Sequence, residues 1–404
     1  MADSEFREFM TPPVRRFYKI KPIVQKQARH SPFPGPSQPL HPAGSVLLDI
    51  VRFGAALAVG IGHIFPGMLN IALSAVAIFF VLSGFVIRLI TTARRTSAHD
   101  YAIDRVSRIY SVTLPAIALT LLVATCLHFF PGRRSAPLEL APLQTAYQVL
   151  ANTLFFGSIW SLDVPVSFNN VFWSLCYECV YYVLYGFLFF GNRLWRWLPA
   201  VALVLFAGPP ILFMLPLWLF GCLLHDVYQY LRGFRRSGLW LTLALSTAAL
   251  IAVALRQSLH SIALEAVQWS DLGALSALAH AHHLHLLKRA SFHAYVVGIP
   301  AGLLVLCGLL LLEPAGLHKN HWFAVASRRV ADSTFTFYLF HLCFVWMVWT
   351  YLPFRHGNIA LDVALLLGTA VACYFLTPPI DALKRQMRRR ASVPGEASRQ
   401  IVSP

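Results

Sequence analysis

SVLLDIVRFGAALAVGIGHIF, residues Ser45–Phe65, is long and apolar enough to cross a bilayer, yet it carries Asp49, Arg52 and His63. Titratable side chains inside a membrane span cost several kcal/mol or so each, and they are kept where a partner or a function requires them. Eleven steps of about 100° bring His63 to within roughly 20° of the azimuth of Arg52, about 16 Å further along the axis. One face of one helix therefore presents a guanidinium near its start and an imidazole near its far end. Two readings stand on this helix alone. Either the pair serves a site, or Arg52 pairs with Asp49 at i, i+3 and snorkels while His63 caps the outer end.

Composition places the helix in its class. The 404 residues are 57% hydrophobic and 12% charged, with mean hydropathy +0.61, more apolar surface than a soluble domain can hide. The fold expected is all-α, a polytopic membrane bundle of about ten transmembrane helices with lipid as its surroundings. A net charge of +16 would suggest nucleic acid in a soluble chain. Here the basic residues sit in short connectors between apolar runs, which is a topology signal and implies no nucleic-acid partner.

Outward from that helix, residues 1–44 are polar, basic and proline-rich, expected to be a disordered cytoplasmic tail without the apolar core of a signal peptide. Residues 45–380 hold the spans, and 381–404 form a second basic tail. The spans after Ser45–Phe65 are expected at Ile71–Ile90, Ile109–Phe130 and Val171–Phe190. Two short ones in Leu198–Asp226, broken at Gly208, Pro209 and Pro210, follow, and then Leu239–Leu255, His293–Leu312, Thr334–Tyr351 and Ile359–Pro378. With ten spans, the two tails and the connectors on their side hold 26 Lys and Arg, against 6 on the other side. The positive-inside rule then puts both termini in the cytoplasm, Arg52 at the inner end and His63 at the outer end, in a plasma membrane.

The fourth expected span, with WSLCYECVYY, places Glu178 in mid-membrane, with Ser174 and Tyr182 at i−4 and i+4 on its face. A carboxylate there must meet a cation or a polar cavity, and His63 and Arg52 are the obvious partners; a protonated Glu178 bonded to a neighbouring helix is the structural alternative. All seven cysteines lie in apolar runs and read as small apolar residues. Cys176 and Cys179 form a C-x-x-C with no second pair nearby, so neither a disulfide framework nor a metal site is implied.

Arg52 and His63 with ten residues between, FFVLSGF (Phe79–Phe85), DRVSRIY (Asp104–Tyr110), NNVFWSLCYECVYY (Asn169–Tyr182) and STFTFYLFH (Ser333–His341) occur in this order over most of the chain. In order and spacing they resemble the acyltransferase-3 family of integral membrane acyltransferases. The resemblance implies transfer of an acyl group, commonly acetyl, from cytoplasmic acyl-CoA, with acetyl-CoA the expected donor and no metal. The acceptor implied is a hydroxyl of a surface or exported glycan, a lipid-linked sugar or a related compound. It makes His63 the general base and Glu178 its orienting carboxylate, and makes Arg52, Arg105 and Arg108 the holders of the donor phosphates. Ser174, Tyr182 and His341 become candidate substrate-binding residues, although a His341 satisfied by a neighbouring helix fits the sequence equally.

Two positions depart from the family pattern: Thr377 stands where an acid is usual, in FLTPPIDAL, and Asp104 where a base is frequent. No soluble domain is expected after the last span. Ser83 and Gly84 read as small residues that allow close helix packing or leave room for a thioester beside His63. The tract AHAHHLHLLKRASFH (Ala279–His293) has the look of a metal tract but lacks acidic or cysteine ligands, and reads as a solvated amphipathic segment. The rival function is a transporter or flippase of glycan precursors, although no internal repeat supports it. The oligomeric state is not legible.

Overall fold

The computed structural model describes residues 39–93, 96–130, 132, 141–191, 197–232, 238–258, 292–313, 317–318, 320–352 and 358–392. These form twelve helices: α1 (Pro42–Ile64), α2 (Leu69–Ala93), α3 (Ala98–Phe129), α4 (Pro142–Thr153), α5 (Phe172–Phe190), α6 (Trp197–Ala207), α7 (Pro209–Leu231), α8 (Leu239–Ser258), α9 (Phe292–Leu312), α10 (Trp322–Asp332), α11 (Thr334–Tyr351) and α12 (Ile359–Ser392). Eight of them, α1, α2, α3, α5, α7, α9, α11 and α12, are long and apolar enough to span a membrane. The chain is a multi-pass helical membrane protein.

Local chemistry sets the boundaries. Pro42 at the first helical position and His41, whose Nδ1 accepts from the Ala43 amide, start α1 three residues ahead of Ser45. Ser97 caps α3 by accepting from the Asp100 amide. The arginine-bearing DRVSRIY is consequently not a connector, as expected from its charge, but the first turns of a 32-residue helix. At the other end of the chain, α12 continues through Pro378 and Pro379 to Ser392, so the first part of the expected tail from 381 is helical.

The expected break in Leu198–Asp226 falls at Gly208, whose φ of +80° suits glycine and which precedes Pro209 at the start of α7. The two sides are unequal, though. α7 has 23 residues, whereas α6 has 11, about 16 Å of helix and half an apolar core. With α8, also among the shorter apolar helices, α6 separates the eight long spans from the ten expected. Two amphipathic helices lie below the sequence signal: α4, which exposes Leu143, Tyr147 and Leu150 on one face, and α10, which exposes Trp322 and Phe323. The His-rich tract lies outside the described residues except for Phe292 and His293.

Packing centres on α2, which contacts α1, α7 and α9. At its crossing with α7, a methyl group on Gly84 would overlap the Trp218 carbonyl oxygen, and one on Gly221 would overlap that of Val81. Two glycines thus let backbones touch directly, the arrangement that drives association where water supplies no hydrophobic force. One turn further along, Arg88 makes a two-pronged ion pair with Asp226, on which His225 also bonds at 3.0 Å. On the other side α11 packs against α1, α3 and α12, and α10 covers the start of α1.

Gly84→Val and Gly221→Val should each force α2 and α7 apart, with a loss of about 1–3 kcal/mol or more from overpacking. Gly54→Ala, where a methyl group meets nothing within 4 Å, should leave the protein intact. Thermal unfolding and monodispersity of the purified variants check this contrast.

Candidate active site

At the start of α1 the ion pairing differs from the simplest i, i+3 expectation. Asp49 is buried and bonds Arg328 of α10, Nε to Oδ2 at 3.0 Å, and Arg328 also donates to Ser45 Oγ. Arg52 is left with no hydrogen bond or ion pair among the described residues, and it lines a cavity. Arg105 and Arg108, one turn apart on α3, line the same cavity. Arg108 lies over the Phe335 ring at 5.7 Å, and Arg105 lies over the Tyr182 ring at 5.4 Å. Arg105 also pairs with Asp104, itself 3.2 Å from Arg388, while the Arg105 Nε is buried without a hydrogen-bond partner among the described residues. Asp332 of α10 lies in the field of this cluster: its carboxyl is pushed up from its ordinary range by burial and by Asp381, against the opposing pull of Arg328, Arg52 and Arg108.

The cavity has about 880 Å³ of empty space, part of it open to its surroundings. Apolar side chains from α2 and α11, including Phe79, Leu82, Val86 and Phe335, line it together with the three guanidiniums and with Ser174, Glu178, Tyr182 and Tyr338. Its lining thus combines three cations, an apolar surface and a set of polar groups, with Tyr182 next to Arg105. A second, more polar hollow adjoins it through Ile87, Ile90 and Arg105, bordered by Asp100, Asp104 and Arg388.

Glu178 meets neither of the partners expected for it. Its Oε1 accepts from Ser83 Oγ at 2.6 Å and from the Tyr182 hydroxyl, and Trp218 Nε1 donates in turn to Ser83 Oγ at 3.2 Å. No hydrogen bond or ion pair joins it to His63 or Arg52. The chain Arg105–Tyr182–Glu178–Ser83–Trp218 therefore ties α3, α5, α2 and α7 together around the cavity wall. Ser174 Oγ and the Tyr338 hydroxyl are 2.6 Å apart, and Tyr338 also reaches the Val171 carbonyl.

His63 stands off the cavity wall. Its neighbour is His341, ring centroids 5.2 Å apart at 41°, one turn along α11 from the cavity-lining Tyr338. His341 is fully buried and stacks on Phe337. Of the proposed site residues, Arg52, Arg105, Arg108, Ser174, Glu178 and Tyr182 share the cavity, while His63 and His341 form a separate pair beyond its far end. Sequence reasoning passes over Ser83 as a ligand of Glu178 and Tyr338 as a wall residue. The i−3 relation of Tyr338 to His341 is the available signal for the latter. At the variant position, Thr377 Oγ1 donates to Thr336 Oγ1 at 3.1 Å inside the α11–α12 contact.

The family model described as an acyltransferase domain, Acyl_transf_3, matches residues 46–378. No curated protein and no solved structure matches the chain.

Ile90 borders both hollows and is half-buried. The thiol of an Ile90→Cys variant should react with a water-soluble maleimide, faster than the buried native thiols Cys176, Cys307, Cys343 and Cys373. Mass spectrometry of the labelled protein checks it; an inert thiol in the Ile90→Cys variant would mean that the cavity does not open to water at its arginine end.

Proposed function

We propose, for a chain that belongs to the acyltransferase-3 family and is a membrane acyltransferase, that it moves an acetyl group from acetyl-CoA to a hydroxyl of a surface or exported glycan, or of a lipid-linked sugar. The observation that carries this reading is that three arginines line one cavity with apolar walls; we take their end as its mouth. Coenzyme A is a polyanion at one end and a narrow, largely uncharged arm at the other. Guanidiniums at the mouth suit its phosphates as charge-assisted donors, and the apolar walls suit the pantetheine arm. On the positive-inside reading this mouth faces the cytoplasm, where acyl-CoA resides.

His63 lies about 16 Å beyond Arg52 on α1, of the order of the reach of an extended pantetheine arm. In the proposed reaction the acceptor hydroxyl oxygen attacks the thioester carbonyl carbon while His63 takes the hydroxyl proton. The carbon–sulfur bond then breaks, and the departing thiolate receives that proton from His63, leaving an ester and free coenzyme A. A neutral imidazole suits both halves, since it is a base first and, once protonated, an acid. Glu178, bonded to Ser83 and Tyr182, supports the donor side by holding the inner wall and, through Tyr182, the ring beneath Arg105.

Two expected outcomes test the assignment in purified protein reconstituted in lipid. Arg52→Ala, Arg105→Ala and Arg108→Ala should each raise the KM for acetyl-CoA more than they lower kcat; coenzyme A binding unchanged in all three would remove the donor site from this mouth. His63→Ala should lower transfer of labelled acetyl to membrane glycans by about 10²- to 10⁴-fold, the usual share of a general base, with coenzyme A binding retained. Near-normal turnover would take His63 out of the chemistry.

A further inference from the structure

His341 carries an unusual combination of constraints. Its Nδ1 lies 3.1 Å from the Phe337 carbonyl oxygen and 2.9 Å from that of Tyr338. Carbonyl oxygens only accept, so Nδ1 holds a proton. Its Nε2 is buried and has no hydrogen-bond partner among the described residues. A doubly protonated ring there would be a buried cation with no counter-ion among its contacts in the described residues, a costly state. The ring is therefore the neutral Nδ1–H tautomer, with the Nε2 lone pair directed away from its own helix and unused.

A buried acceptor without a donor costs about 1–3 kcal/mol relative to a satisfied one, so its retention calls for a reason. The neighbouring ring supplies one. The His63–His341 centroid separation is 5.2 Å. An N–H···N bond of about 3 Å plus roughly 1.1 Å from each nitrogen to its ring centre spans the same distance. The separation fits such a bond when a nitrogen of the half-buried His63 is turned toward His341 Nε2 along the line between the ring centres. No carboxylate makes a hydrogen bond or ion pair to His63 among the described residues.

We propose that His341 is the positioning residue of His63: its Nε2 accepts the N–H of His63 and fixes the tautomer whose other nitrogen faces the acceptor hydroxyl. It fills the orienting role that a carboxylate has in hydrolytic triads. As His63 becomes an imidazolium, the same bond turns charge-assisted and strengthens, which favours the transition state over the ground state. The proposal rests on His63 being the base.

The test uses the carboxamide side chains as positional mimics, because the oxygen of glutamine can reach the place of Nε2, whereas that of asparagine stops near Nδ1. Full-length protein in lipid vesicles is assayed with radiolabelled acetyl-CoA and membrane glycans as acceptor. His341→Phe should lower kcat about 10- to 100-fold, the range typical of an orienting partner, with KM for acetyl-CoA within about twofold of wild type. His341→Gln should recover most of kcat and His341→Asn should not. In a His63→Ala background, His341→Phe should cost nothing further, because the two act as one unit.

Wild-type kcat in His341→Phe, rescue by Asn rather than Gln, or losses that multiply in the double variant would overturn the assignment while leaving His63 as base. A fully active His63→Ala protein would overturn both. Thermal unfolding monitors each variant, and if His341→Phe does not fold, the Gln-to-Asn ratio of kcat decides.

Discussion

The commitment of Asp49 to Arg328 governs the whole arginine end of the bundle. A guanidinium inside an apolar bundle needs a counter-charge, water or a ligand. Asp49, three residues before Arg52, would be the natural counter-charge, but α10 brings in an arginine of its own and takes it. Arg52 is thereby left to the cavity, and two further arginines of α3 join it there. Like charges repel, and of the three only Arg105 makes an ion pair, with Asp104, among the described residues, so the excess positive charge of the cluster would favour an anionic ligand. The same pair helps to secure a short amphipathic helix against the start of α1.

The inner wall follows a different logic. Glu178 is a carboxyl group in mid-span, yet it accepts from the hydroxyls of Tyr182 on its own helix and of Ser83 on α2, which in turn accepts from the Trp218 indole of α7, and it pairs with no cation among the described residues. Such a network holds α2, α5 and α7 in one register, and the Gly84–Gly221 crossing makes it reachable, since only touching backbones place Trp218 within 3.2 Å of Ser83. Arg105 feels that network through the ring of Tyr182. The mouth and the inner wall are therefore coupled mechanically, and a change at Ser83 should be felt by the arginines without any charge being altered.

Much of this is legible in the sequence because membrane helices write their spans in long apolar runs and their functions in the few residues that interrupt them. Arg52 and Glu178 stand out by that rule, Ser174 and Tyr182 by sharing the face of Glu178, and Arg105 and Arg108 by the family resemblance; all six line one cavity. What stays hidden has a physical cause in each case. α4 and α10 are short and polar on one face, so no hydropathy window registers them. The arginines of α3 look like a connector because charge there outweighs periodicity, whereas Ser97 has already started a helix. Glu178 is drawn to His63 on paper because charge complementarity is readable from sequence and the relative rotation of two helices is not. His341 is visible as a polar residue on an apolar helix, but its orphaned nitrogen exists only in three dimensions.

The separation of His63 from the cavity has its own cause. Of α1, Arg52 alone lines the cavity, and α1 between the two residues is packed with small side chains, so that Gly60 faces Leu366 and Phe337 with no room for a methyl group. The far end of the cavity is formed by Phe79, Ser174 and Tyr338, the first and last in edge-to-face contact. In the proposed reaction, a thioester arriving from the arginine end would meet this aromatic layer before it met His63. If the acceptor hydroxyl came from the opposite side of the membrane, such an enzyme would have to keep water from joining the two compartments. The tyrosine–serine hydrogen bond, the bond from Tyr338 to the Val171 carbonyl and the Phe79–Tyr338 contact are among the interactions that hold this layer together. On this view Tyr338 belongs to both halves of the protein, as the end of the donor cavity and, one turn from His341, as the edge of the histidine pair.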